Sequence, residues 1–175
     1  MKTIATVLLL WVSLAIQAQE SRIHEIDFLL GKYQVQVLLP DGKGGWSKGG
    51  SGTATFDPVL GNNFIREELN LTFGQGTLTM INHFGRDGRM NQLRMIAMDK
   101  EFATMDFYNG EVIDQKVVFE NTASDIPFRD QDGNKISFRI TYSQKNSDTN
   151  ESLVELTKDE GETWMPYSKQ LFIRE

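Results

Sequence analysis

From Gly31 to the C-terminus, apolar and polar residues alternate in short runs separated by turn-forming residues. The runs predict strands over residues 32–39, 46–56, 63–73, 76–84, 89–98, 103–109, 111–120, 134–144, 152–158 and 164–174. The cleanest is Ile136-Ser137-Phe138-Arg139-Ile140-Thr141-Tyr142-Ser143, with one face apolar or aromatic and the other polar, as a half-buried sheet requires. Pro40-Asp41-Gly42, Gly74-Gln75-Gly76, Arg86-Asp87-Gly88, Asn109-Gly110, Asp132-Gly133-Asn134 and Asp159-Glu160-Gly161 supply residues that tolerate positive φ and predict the turns. A helix is predicted only over residues 21–31, with Ser21 as N-cap, acids early and Gly31 as terminator. The alternation lapses between Asn121 and Gln131, where Pro127 excludes a central strand. This stretch predicts a loop or edge excursion that can serve as a flap over one barrel mouth.

Short connections favour antiparallel neighbours, so the chain is all-β. About ten antiparallel strands left in one open sheet would expose two edges, and closure into a barrel removes them. A barrel with a short N-terminal helix is therefore expected in preference to a sandwich.

Ahead of this region, Met1-Lys2-Thr3 leads into an apolar run from Ile4 to Ile16 and then Gln17-Ala18-Gln19-Glu20, which reads as a signal peptide over residues 1–18. The run is shorter than the roughly 20 residues of a transmembrane anchor. The expectation is a single domain over residues 19–175, periplasmic or secreted, with no transmembrane anchor after cleavage. Loss of Lys2 would take the net charge from −6 to −7, and no basic footprint for nucleic acid is present. With no cysteine there is no lipid-anchor site, no disulfide and no thiolate chemistry.

The sequence has no Gly-x-Ser-x-Gly elbow, no phosphate-binding Gly-Lys-Ser/Thr loop and no His-Glu-x-x-His. Two histidines, His24 and His83, cannot build a multi-histidine metal site, and no cofactor is expected. His83 reads either as an inward acid/base group or as an ordinary strand histidine. In Phe64-Ile65-Arg66-Glu67-Glu68-Leu69, alternation places Glu67 with Ile65, Leu69 and Leu71, and Glu68 with Arg66 on the opposite face. A carboxylate inside a barrel must pair with a cation or hold its proton. Arg66, Arg94 and Arg139 are the candidate partners, the alternative being an ion pair on the outer wall. Met80, Met90, Met95, Met98 and Met105 cluster with aromatic residues and suit either a pocket lining or plain core, with Met95 carried forward as a lining candidate. Thr157-Lys158-Asp159-Glu160-Gly161-Glu162-Thr163-Trp164 fits the Asp-box pattern, read as a rigid hairpin rather than a glycan site because it occurs once.

Phe28-Leu29-Leu30-Gly31-Lys32-Tyr33, Leu60-Gly61-Asn62-Asn63-Phe64-Ile65-Arg66-Glu67-Glu68, the Phe84-Gly85-Arg86-Asp87 turn and Asp159-Glu160-Gly161-Glu162-Thr163-Trp164 together resemble an uncharacterised bacterial family of exported lipocalin-like barrels, domain of unknown function 1579. The resemblance implies a calycin-type antiparallel barrel and no agreed activity. Leu-Leu-Gly followed by an aromatic is also similar, more distantly, to nitrobindin-like haem barrels. Their iron-binding C-terminal histidine has no counterpart in Tyr167-Ser168-Lys169-Gln170-Leu171-Phe172-Ile173-Arg174. The expected function is a binding module for a small apolar or amphipathic molecule, with Glu67, Glu68, Arg66, Arg94, Arg139, His83 and Met95 as candidate interior residues. The alternative is an enzyme using an interior Glu/Arg pair on a small anionic substrate. A third reading, an interaction protein without a ligand, predicts an exposed apolar patch in place of a cavity.

Overall fold

The computed structural model describes residues 23–74 and 76–175. The leader read over residues 1–18 and the cap read at Ser21 lie outside them. The elements are a 3-10 helix His24–Leu29 and strands β1 Gly31–Pro40, β2 Trp46–Val59, β3 Phe64–Phe73, β4 Gly76–Asp87, β5 Gln92–Asp99, β6 Thr104–Ile113, β7 Lys116–Glu120, β8 Phe128–Arg129, β9 Lys135–Gln144, β10 Thr149–Thr157 and β11 Met165–Arg174. Neighbours run antiparallel from β1 to β7, then β7 pairs with β9, β9 with β10, β10 with β11, and β11 returns to β1. Ten strands thus close into a barrel, and β8 adds two residues beside β9.

The expected short N-terminal helix is present, as the 3-10 helix His24–Leu29. Ile23, Ile26 and Leu29 recur every third residue and are all buried, so a three-residue turn places them on one face where a 3.6-residue turn would spread them. That face plugs one mouth of the barrel. The exposed end of the plug is tied down by the last strand: Arg174 donates to the carbonyl of Leu30 at 2.8 Å and to the Tyr33 hydroxyl at 2.8 Å. Asn150 donates to the Phe28 carbonyl at 2.9 Å, so carbonyls left open where the helix stops are met from β10 and β11. Arg86 at the end of β4 pairs with Glu25 on the helix itself.

Below the plug the interior is filled by rings. Tyr33, Phe56, Phe84, Phe119, Tyr142 and Phe172 lie 5.5 to 6.5 Å apart between centroids, mostly edge to face or tilted. Phe84 touches Phe56, Phe119 and Tyr142.

Asn109-Gly110 is not a turn but part of β6. A Cβ at Gly110 would stand 2.5 Å from the Phe119 ring and 2.8 Å from the Leu93 Cβ, so the glycine gives those core side chains room. The hairpin turns instead at Asp114-Gln115, both at positive φ (49° and 63°), the backbone of a primed two-residue turn.

Candidate functional site

Alternation fixes what faces inward. On β3 these are Ile65, Glu67, Leu69 and Leu71, and their register partners on β4 include Asn82 opposite Glu67. Glu67 is fully buried. Its Oε2 accepts from Asn82 Nδ2 at 2.6 Å and from the Tyr142 hydroxyl at 3.3 Å, which joins β3, β4 and β9 across the interior. Burial, only partly offset by these two donors, raises the Glu67 carboxyl from 4.5 to about 7. Burial and the facing Glu67 in turn push the Tyr142 hydroxyl well above its ordinary value. Burial does the same for Tyr108, which shares the inward face of β6 with Asp106.

On the far side of this polar layer from the plug, the barrel is open. A cavity of 230 Å³ is walled by Leu69, Leu78, Met80, Phe138, Ile140 and Val154, with Asn82, Tyr108, Tyr142, Ser168 and Gln170 supplying its polar groups. Phe102, Phe128 and Tyr167 stand around it from the β5–β6 turn, from β8 and from the start of β11. Larger recesses exist on the surface. One of 690 Å³ is bordered mainly by outward positions such as Phe64, His83, Arg94 and Phe107, and is a groove on the outer wall.

The stretch read as a flap, residues 121–131, borders the cavity. Asn121 anchors its start: the Asn121 amide donates to the Asp106 carboxylate and its oxygen accepts from Phe138 N at 2.6 Å. Ser124 also donates to Asp106, at 3.4 Å. Phe128 then reaches the cavity and packs edge-on against Phe138 at 5.5 Å.

The seven residues proposed for the interior separate. Glu67 and Met95 are inside and fully buried. Arg66 and Glu68 pair with each other at 3.1 Å on the outer wall, each nearly half exposed. Arg139 pairs with Glu155 at 2.8 Å and lies over the Trp164 ring, between the inward Phe138 and Ile140. His83 sits between the inward Asn82 and Phe84, and Arg94 between Leu93 and Met95, where it donates to Asn109. An interior location for Arg66, Glu68, His83, Arg94 and Arg139 is thereby corrected: strand parity turns all five outward. Among the described residues no arginine accompanies Glu67, so burial raises its carboxyl with no cation to offset it. Among the methionines, Met80 lines the cavity and Met95 is core, while Met90 and Met105 are exposed.

Sequence reasoning missed Asn82, Ser168 and Gln170 as cavity residues. Asn82 could have been found by extending the parity argument from Phe84 back along β4. Ser168 and Gln170 had no such signal, because polar residues at every second position read as an outer face. The Asp-box segment forms the expected hairpin: Asp159 accepts from Thr157 Oγ1 at 2.6 Å and from Thr163 N at 2.9 Å, with Gly161 at φ 98°.

Among the described residues, no helix is long and apolar enough to cross a membrane, and no group of three potential metal ligands occurs. No protein-family model matches the chain, and no curated protein matches it. Among solved structures, a protein of unknown function of the DUF3598 family from Nostoc punctiforme is similar over 90% of this chain and 100% of its own, at 9% sequence identity and a TM-score of 0.24.

Proposed function

We propose that the protein is an exported binding module that takes a small, largely apolar molecule into the unplugged half of its barrel, as a member of the exported lipocalin-like family its motifs resemble. The observation that carries this reading is the division of the interior. Six packed rings and the helix fill one half, while the other half keeps a 230 Å³ cavity with apolar walls and convergent polar groups on its floor. That combination is the usual form of a small-molecule site. An apolar cavity of about 150 Å³ accommodates benzene, so this one suits a single substituted ring or a short branched chain.

Native mass spectrometry and calorimetry with propylbenzene should give saturable one-to-one binding. Val154→Trp, which fills the cavity from the β10 wall, should weaken it at least about tenfold. Absence of saturable binding, or equal binding by the variant, would remove this reading.

A specific observation favours one second reading, a proton-transfer enzyme. Glu67 carries a carboxyl raised to about 7, and the Asn82 that holds it lines the cavity. A carboxyl poised near neutral pH next to a ligand cavity is what general acid/base chemistry uses. With Arg66, Arg94 and Arg139 on the outer wall, that version would act on a neutral or cationic substrate and not on an anion.

A further inference from the structure

We propose that the molecule held in this cavity is a compact aromatic amine whose ammonium group sits against Asn82, in front of the buried Glu67 carboxyl. The inference rests on the cavity reading above and adds the chemistry of the ligand.

Three features of the interior point to it. The first is the direction of the hydrogen bonds. Asn82 Nδ2 and the Tyr142 hydroxyl both donate to the same oxygen of Glu67, Oε2. Glu67 Oε1 and Asn82 Oδ1 are buried acceptors with no donor among the described residues. Because Nδ2 faces the carboxylate, Oδ1 of Asn82 must point elsewhere, and Asn82 borders the cavity. Buried acceptors left unmet are costly, and of the two residues only Asn82 borders the cavity, so the complementary ligand is one that brings N–H donors to the Asn82 side and leaves Glu67 to act through its charge.

The second feature is charge. Among the described residues the cavity wall contains no lysine, arginine or histidine, while Asp99 is part of it and Glu67 lies behind Asn82. A carboxylate or phosphate ligand would find no cation there and would face two carboxyl groups. A cation would find compensation, and its arrival would favour the ionised form of Glu67. The titratable groups around Glu67 are Tyr142 on β9 and, next to it, Tyr108 on β6. Neither is cationic at any pH, so among the described residues no side-chain cation competes with a ligand ammonium for this carboxylate.

The third feature is the wall itself. Phe138, Tyr108 and Tyr142 present rings to a space of 230 Å³, which suits one aromatic ring and a short tail, and ring faces also attract an ammonium group.

The test compares three probes of matched size by calorimetry at pH 7.5: phenethylamine, propylbenzene and hydrocinnamate. The proposal expects phenethylamine to bind at least about tenfold more tightly than propylbenzene, and hydrocinnamate to bind weakest. It further expects the amine-to-hydrocarbon affinity ratio to fall to about one in Glu67→Gln, with Asn82→Leu as a second variant reducing the same ratio. If hydrocinnamate equals or exceeds phenethylamine, or the ratio survives in folded Glu67→Gln, the amine assignment is overturned while propylbenzene binding leaves the cavity reading standing. If none of the three binds, both fall together.

Discussion

Replacing Phe84 with alanine is expected to destabilise the protein by about 3–5 kcal/mol, the usual cost of emptying a fully packed aromatic position. Phe84 has no solvent exposure and is in ring contact with Phe56, Phe119 and Tyr142, so its loss opens a void bordered by β2, β7 and β9 at once. Those neighbours sit on a closed sheet and cannot collapse into the gap without shifting paired strands. Total stabilities of domains are about 5–15 kcal/mol, so about a fifth or more of the folding free energy is at stake. Thermal melting should drop by about 10 °C, taking roughly 2–4 °C per kcal/mol for a chain of this size. Phe107→Ala is the control: Phe107 is 57% exposed on the outer wall, and its removal should change stability by about 0.5 kcal/mol or less. Equal effects of the two substitutions would mean that the aromatic cluster is not the core of the folded state.

Glu67→Gln should make the protein more stable at pH 8 while leaving it nearly unchanged at pH 5. The Glu67 carboxyl is raised from 4.5 to about 7, so the native state holds its proton at pH values where the unfolded chain has released it. A raised carboxyl contributes stability that is fully present below about 4.5 and is lost as pH rises through about 7. Across that window the wild-type protein should lose about 3 kcal/mol. Glutamine keeps an oxygen that can accept from Asn82 and Tyr142 but cannot ionise, so its variant should lack that loss. Urea unfolding at pH 5 and pH 8 measures the difference directly. A variant less stable than wild type at pH 8 would show that Glu67 is ionised and stabilised in the native state, contrary to the interior described above.

Much of this fold is legible in the sequence, for reasons that can be located. Residues 136–143 alternate so cleanly that inward Phe138, Ile140 and Tyr142 follow from parity alone, and parity also separates Glu67 from Glu68. The strand ends were less legible. β10 starts at Thr149 and not at residue 152, because Asn150 and Ser152 are polar residues facing inward, satisfied by Phe28 and Gln170. Gly110 carried a turn-like signal but serves as clearance under Phe119, while the real turn at Asp114-Gln115 has no glycine to announce it. The N-terminal helix is legible from its buried apolar positions, and the strict three-residue spacing of Ile23, Ile26 and Leu29 suits the 3-10 period.

The candidate site was less legible than the fold. Whether an interior carboxylate meets an arginine depends on which strands become neighbours and which face of each strand is the inner one, and the first of these is not encoded locally. Arg66, Arg94 and Arg139 all lie beside inward residues and therefore point out, which left Glu67 with amide and phenol donors and no cation. The division of the barrel into a filled and an open half depends equally on long-range closure, with Arg174 at the chain's end fastening the plug near its start.

The open half of the barrel is where a ligand is expected to sit. Crystals soaked in bromobenzene and measured at the bromine absorption edge would locate a small aromatic directly. The expected result is one strong anomalous peak enclosed by Met80, Phe138 and Tyr142, at the floor of the 230 Å³ cavity. Bromine found only in the outer groove beside Phe64 and Phe107, with the cavity occupied by the protein's own Phe102 or Phe128 side chains, would contradict it.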